Sequence, residues 1–542
     1  MVRIMRLLCC VLGVVCVFAA PASSQEACDA VDALFRSWSG TETPGAAVAV
    51  VKDGRVVCAG AYGMANLAHG VPNTPETRFT AASISKAFTA FGVAKLAGDG
   101  QLDLDAPVSR YVTQLAAPVG DVTIRQLVEH TSGVRDHLFL LRLAGRRRGD
   151  VVTRQDIQAL LYRQNSLNFP AGSRWMYSNG GYALLADVIE QVTGQPFRDW
   201  MADNVLRPHG LAATDFPGYR DEVVGDLATS YLPNAAGDYE VRTLNSDDIG
   251  GTGLTTTVGD LAAWMIALMG DETSLPGALA LFRQPAVLAD GTAVSRHGFG
   301  YQLSQFGGVA ALGHGGRYSG RFTMFPEHGV GIAVLVNDAS IFPDHRLDRI
   351  AALFVESESP RLGVDQQTCG AALADMPLRE GIYAMPGANF IVNLERREGI
   401  PVFDWWGYPT VVQQCDGGYF APGLAFPAFY DPEAPDKIRL GGLALAYRPA
   451  VPVAPEAAEE LVGRYYSAEL NVTYVLYRRS DTLFVHQDGQ PDIPLVAVGP
   501  DAFASASRRF DTLTVERDGE GRATGLLVSS ISARNLRFQR SQ

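Results

Sequence analysis

The chain reads as an α/β protein of the α+β kind, an antiparallel sheet with flanking helices, followed by two small all-β domains. Three observations predict this. Strand-like runs stand at both ends of the stretch 46–336, with helical patterns between them. After about residue 360 the pattern changes to alternation of apolar and polar positions with little helical spacing. That later stretch also carries a weak internal repeat, split by a run of prolines.

The elements follow in order. Arg3 and Arg6 precede an unbroken apolar run at 7–19, too short to span a bilayer comfortably, and Ala20-Pro21-Ala22 offers a small-residue cleavage site. Residues 1–22 therefore read as a secretory signal, with a secreted or periplasmic product after cleavage near Ala22. Cleavage removes two arginines and no acid, taking the net charge from −13 to −15. Residues 27–38 read as a short helix. Residues 46–51 and 56–62 read as strands paired across the Asp53-Gly54 turn. Helical spacing marks 83–96, 123–129, 153–162, 182–192 and 257–269, the last with Thr257 as cap and Asp260 in its first turn. Strand character returns at 299–303 and 322–336, and 346–355 closes the domain as a helix.

Beyond residue 360, Gly381-Ile382-Tyr383 and Gly463-Arg464-Tyr465 each precede a strand-like run, 390–394 and 472–476. Each run starts nine residues after its glycine. Pro449, Pro452 and Pro455 stiffen the connection between the halves. The boundaries expected are 23–360 for the first domain and 372–450 and 457–541 for two closed, barrel-like β domains. Four cysteines lie outside the signal: Cys28, Cys58, Cys369 and Cys415. An even number in an exported chain suggests two disulfides, and three pairings are possible. Cys28–Cys58 and Cys369–Cys415 are favoured, because each closes a loop within one domain.

Bulk properties narrow the function. The 542 residues are 47% hydrophobic and 19% charged, as in a globular protein. The negative balance argues against a nucleic-acid partner. No later segment could be transmembrane, and no cysteine sits in a metal-binding pattern, so neither a metal nor a cofactor is expected.

Three motifs carry chemistry. Ser83-Ile84-Ser85-Lys86 opens a helical pattern, so the Lys86 ammonium lies beside the Ser83 hydroxyl. A helix N-terminus adds positive dipole there, and a base together with a local positive field is what activates a serine. Tyr177-Ser178-Asn179 follows 94 residues after Ser83, and His314-Gly315-Gly316 a further 137 on. Ser-x-x-Lys, Tyr-x-Asn and Lys/His-x-Gly in that order resemble the penicillin-recognising serine hydrolases. The nearer likeness is to the class C β-lactamase and D-aminopeptidase branch. Thr43-Pro44-Gly45-Ala46, Leu102-Asp103-Leu104-Asp105, His130-Thr131-Ser132-Gly133 and Gly251-Thr252-Gly253-Leu254 look like further landmarks, and the resemblance covers about 38–355.

The resemblance implies a β-lactamase/transpeptidase-like fold with a mostly helical lobe inserted, and an acyl-enzyme on Ser83. Lys86 and Tyr177 supply the proton path, Asn179 hydrogen-bonds Lys86 and the substrate, and the N–H groups of Ser83 and Arg317 form the oxyanion hole. Gly315 and Gly316 leave room for substrate along an edge strand. A Lys86 cation would favour tyrosinate and lower the Tyr177 pKa; which of the two takes the proton first is open. His314 stands where penicillin-binding relatives usually carry lysine. Histidine is mostly neutral at pH 7, which disfavours substrates bearing a carboxylate and suits aminopeptidases, amidases or esterases. His130 reads as packing. The function expected is hydrolysis of short peptides or amides with D-stereochemistry. Alternatives are a carboxylesterase or weak β-lactamase of the same family, or a catalytically silent sensor of cell-wall fragments. The partner expected is a small molecule or short peptide, and the oligomeric state is open. The D-aminopeptidase likeness further implies a loop from a C-terminal barrel at the catalytic cleft.

Overall fold

The structure is a computed structural model. It describes residues 24–356 and 379–541, apart from 39, 148, 219–220, 235–237, 243–244, 341–343, 386–390, 398, 406–407, 416–417, 421–427, 431–433, 435, 441–442, 506 and 508. The signal reading at 1–22 and Cys369 fall outside the described residues, as does the side chain of Cys415.

The strand Ala46–Lys52 shows why the catalytic sheet is buried on both faces. Its side chains alternate with period two. Ala47, Ala49 and Val51 enter one apolar core, while Ala46, Val48 and Val50 enter another. The first core is roofed by the helices Ser85–Gly98 and Val258–Met269, the second by the N-terminal helix Ser24–Phe35 and the helix Asp344–Phe354. Eight antiparallel strands form the sheet. Arg55–Tyr62 lies at one edge, then Ala46–Lys52, Val330–Val336, Gly320–Phe325, Val309–Gly316, Gln302–Phe306, Ala293–Gly298 and Pro285–Val287. The first strand thus pairs with one of the last, Ala46 facing Val336. Cys28 and Cys58 come to disulfide distance, with Cα–Cα 5.5 Å, and tie the N-terminal helix to the edge strand.

Helices fill the sequence between. Thr123 and Thr153 cap theirs by reciprocal hydrogen bonds with Gln126 and Asp156. Thr257 caps Val258–Met269 by accepting from the Asp260 N–H. The helix expected at 182–192 runs Asn179–Thr193, starting three residues earlier because Ser178 caps it by accepting from Gly181 N. The run expected at 322–336 is two strands, divided by the turn Pro326–His328 and Gly329 at φ +59°. The strand expected at 299–303 begins at Gln302.

The C-terminal half is two nine-stranded sheets of the same topology among the described residues. In each, the first strand pairs with the last: Gly381–Ala384 with Leu443–Arg448, and Gly463–Ser467 with Ala533–Arg540. The two ends of each strand order are sequence neighbours. Only Val412 separates Tyr408–Val411 from Gln413–Cys415, and only Leu495 separates Ile493–Pro494 from Val496–Gly499. Each sheet therefore curls back on itself. No ladder joins those neighbours among the described residues, so the barrels are half-closed where closed ones were expected. The repeated tyrosines have repeated work. Tyr383 and Tyr465 are fully buried, and each donates to a carbonyl four residues earlier, Arg379 O at 2.6 Å and Leu461 O at 2.9 Å.

Candidate active site

The short strand Phe79–Ala82 delivers the chain to Ser83. It pairs with Leu254–Thr256, Ala82 facing Leu254. Ala82 adopts φ +46°, a left-handed conformation that an alanine rarely takes. It turns the backbone abruptly from strand into helix. Ser85 holds the turn, donating to Ala82 O at 2.5 Å and accepting from Leu254 N at 3.0 Å. The helix begins at Ser85, two residues later than expected, so Ser83 stands on the turn before it, half-buried.

Lys86 is completely buried. Its Nζ lies 3.3 Å from Ser83 Oγ and donates to Asn179 Oδ1 and Gly251 O, both at 2.7 Å. It sits 4.9 Å from the Tyr177 ring centre, and Tyr177 shares a side-chain hydrogen bond with Ser83. Ser83, Lys86, Tyr177 and Asn179, expected to share one site, are therefore together. Burial draws the Lys86 pKa down to about 8, against the opposing charges of Asp248 and Asp136. Tyr177 moves the other way: burial pushes its phenol well above the ordinary value, and the Ser83 hydrogen bond offsets this only in part. The expected lowering of Tyr177 by the Lys86 cation is thus overridden by desolvation.

The third motif ends the strand Val309–Gly316. That strand is interior to the sheet rather than an edge, because strands at 285–306 extend the sheet beyond it. Pairing on that outer side nevertheless stops at Gln302 opposite Gly313, while His314, Gly315 and Gly316 remain paired with the inner neighbour. The motif overhangs its outer neighbour and is a local edge. Gly316 makes room for protein, not substrate: a Cβ there would sit 2.2 Å from Ala81 O. Its backbone thereby approaches the segment leading into Ser83.

His314 is fully buried with Nδ1 2.9 Å from Gly315 O. His130 and His297 are buried beside it, with ring centres 4.9 Å apart, and His297 lies 6.4 Å from His314. Burial holds all three below the ordinary imidazole range, His297 at about 4. They are uncharged at neutral pH. His130 packs against Tyr177 at 4.4 Å and accepts the Ser178 N–H at 3.2 Å, so it seats the second motif. The structure also brings in residues the sequence did not single out. Asp136 Oδ2 accepts from Asn179 N at 2.8 Å and Asn179 Nδ2 at 2.7 Å. Asp248 lies 3.4 Å from His137 Nε2 and accepts from Thr252 Oγ1 at 2.9 Å. Asp136 and His137 follow closely on the His130-Thr131-Ser132-Gly133 landmark, and Asp248 precedes Gly251; nearness to those landmarks was the available signal. Among the described residues no cluster of histidine, cysteine or acidic side chains is arranged to hold a metal ion, and no helix is long and apolar enough to cross a membrane.

The beta-lactamase family model matches residues 31–356, and the chain belongs to that family of serine hydrolases. The chain is 27% identical over 525 residues to a D-aminopeptidase of Brucella anthropi, covering 92% of this chain and 96% of that one. It is 28% identical to a D-aminopeptidase of Cereibacter sphaeroides, covering 95% and 98%. Among solved structures, the octameric penicillin-binding protein homologue from Pyrococcus abyssi shares the fold with TM-score 0.56 at 20% identity, over 85% of this chain and 98% of that one. A penicillin-binding protein from Bacillus halodurans matches at 26% identity and TM-score 0.52, over 60% and 99%.

Proposed function

We propose that the chain is an exported D-aminopeptidase-like hydrolase, cleaving short peptides or amides with D-stereochemistry through an acyl-enzyme on Ser83. The observation that carries the substrate class is the extent of the likeness. It spans 96% and 98% of two D-aminopeptidases, and so includes both C-terminal sheets as well as the catalytic domain. The uncharged, buried His314 agrees, since it offers no cation to a substrate carboxylate. The signal-like first 22 residues and the Cys28–Cys58 approach support export. The proposed boundaries are 23–360, 372–450 and 457–541.

In the first step Ser83 Oγ attacks the amide carbonyl. Its proton passes to neutral Lys86, through Tyr177 or directly, and then to the leaving nitrogen as the C–N bond breaks. Backbone N–H groups of Ser83 and Arg317 stabilise the oxyanion. Water then repeats the sequence on the ester, releasing the acid and restoring Ser83. Tyr177, with its raised pKa, keeps its proton at rest and passes protons on without storing a charge. Asn179 holds Lys86 in place.

The test is a panel of D-amino-acid amides, their L-enantiomers, p-nitrophenyl esters and nitrocefin, each with a Ser83→Ala control. Preferential cleavage of the D-amides, lost on Ser83→Ala by a factor on the order of a million, is the expected result. Equal rates on D- and L-amides, or a control keeping more than about a tenth of the activity, overturns the reading.

A further inference from the structure

Arg135, Asp136 and His137 are consecutive, buried, and face three different partners. Arg135 points into the last β-sheet. Its Nη1 donates to Glu469 Oε2 at 2.5 Å and its Nε to Arg534 O at 3.0 Å, while Nη2 reaches Asn535 O at 3.3 Å. The Asp136 N–H donates to Ser532 O at 2.8 Å, at the turn joining Ala523–Ser530 to Ala533–Arg540. The Asp136 carboxylate holds both donors of Asn179, whose oxygen accepts from Lys86. His137 faces Asp248. A continuous line of hydrogen bonds thus runs from the C-terminal sheet to the lysine beside Ser83.

We propose that Glu469 and the 530–533 hairpin position segment 135–137, and through it Lys86, making the last β domain a working part of the active site. The proposal rests on the serine-hydrolase reading of Ser83 and Lys86. Its physical basis is short. Arg135 and Asp136 share a peptide bond, so moving one moves the other. A buried guanidinium that loses its carboxylate cannot stay where it is without cost. Displacement of a supporting group by about 1 Å is enough to cost on the order of a hundredfold in rate. Asn168 clamps the same hairpin, donating to Ser532 O at 3.1 Å and accepting from Arg534 N at 2.7 Å.

The titratable groups set against Lys86 come from this segment and its partner: Asp136, His137 and Asp248. From the other elements it meets the uncharged Tyr177 and Tyr182 phenols and the imidazoles of His130, His297 and His314. The proton affinity of Lys86 is therefore tied to where segment 135–137 places the Asp136 carboxylate and, through His137, that of Asp248.

The experiment uses the full-length chain with Glu469→Gln, Asn168→Ala, Asp248→Asn and the Ser83→Ala control, each checked for folding by circular dichroism. Glu469→Gln should lower kcat about tenfold or more with KM changed less than about threefold, and Glu469→Asp should recover part of the loss. Asn168→Ala loosens the hairpin without stranding a charge, and should act in the same direction if Glu469→Gln does not fold. Asp248→Asn should move the acid limb of the kcat profile to lower pH by about one unit. Folded Glu469→Gln or Asn168→Ala protein with wild-type kcat and pH profile overturns the proposal. An active Ser83→Ala protein would instead overturn the reading beneath it.

Discussion

The Lys86 ammonium and the Asn179 side-chain oxygen are 2.7 Å apart, closer than Lys86 is to the Ser83 hydroxyl at 3.3 Å. The lysine is anchored first and reaches the proposed nucleophile second. Asn179 is anchored in turn by Asp136. A lysine held this way has few alternative rotamers, which suits the proposed role of a base positioned before substrate arrives.

The pH profile follows from Lys86. With a pKa of about 8, the neutral amine grows as pH rises through 8. kcat should therefore climb from pH 6, where about a hundredth of the sites hold neutral lysine, to a plateau above about 9. Stopped-time assays from pH 5 to 10 read this directly. A maximum below pH 6 contradicts a lysine base.

Tyr177→Phe should lower kcat at least about a hundredfold while the acid limb stays near pH 8. The raised phenol carries no charge to lose in this range. An acid limb that disappears with the phenol would assign the titration to Tyr177.

The two glycines of the third motif should differ. Gly316→Ala drives a Cβ into the Ala81 carbonyl, a main-chain group that cannot step aside. It should cost about 1–3 kcal/mol of stability and at least tenfold in kcat. Gly315→Ala meets no main-chain atom, only the Arg321 side chain, nearest at its flexible end at 3.2 Å, and Gln302 Oε1 at 3.9 Å, and should stay within about 0.5 kcal/mol. Paired melting curves and kcat values decide; equal effects would mean the strand end does not lean on the nucleophile's approach.

His314→Lys should raise nitrocefin hydrolysis relative to p-nitrophenyl esters by about ten- to a hundredfold. A charge-assisted hydrogen bond to a substrate carboxylate is worth about 1.5–3 kcal/mol. An unchanged ratio places this side chain out of reach of substrate.

Glu129 gives a stability prediction. Burial pushes its carboxyl up to about 7, with Arg125 opposing and Asp105 adding. The folded state then binds a proton that the unfolded chain releases near pH 4.5, so this group's contribution is full below pH 4.5 and is lost as pH rises through 7. Glu129→Gln should stabilise the protein at pH 8 by about 1–3 kcal/mol, allowing for solvent screening, and do nothing at pH 4. Thermal melts of both proteins at the two pH values measure it.

Much of this was legible because its signals are local. Ser83 and Lys86 are three residues apart, and the Asp53-Gly54 turn between the apolar runs 46–51 and 56–62 marks a strand pair whatever surrounds it. The repeat at Tyr383 and Tyr465 was visible because both tyrosines do the same job. What escaped depends on distant partners. The strand Phe79–Ala82 has four residues and acquires its ladder only from Leu254–Thr256. Asp136 looks like any helix cap until Asn179 is placed beside it. The pKa of Tyr177 was read from its charged neighbour, whereas burial, a property of the whole fold, decides it.

The pairing of Ala46 with Val336 has a consequence for synthesis. The strand Ala46–Lys52 emerges from the ribosome early, with six apolar residues in a row, and its inner partner follows some 290 residues later. At about 5–20 residues per second, that strand waits on the order of fifteen seconds to a minute for its mate. Only the hairpin with Arg55–Tyr62 can cover one side meanwhile. The nascent chain therefore carries an unpaired β-edge for about half of its translation.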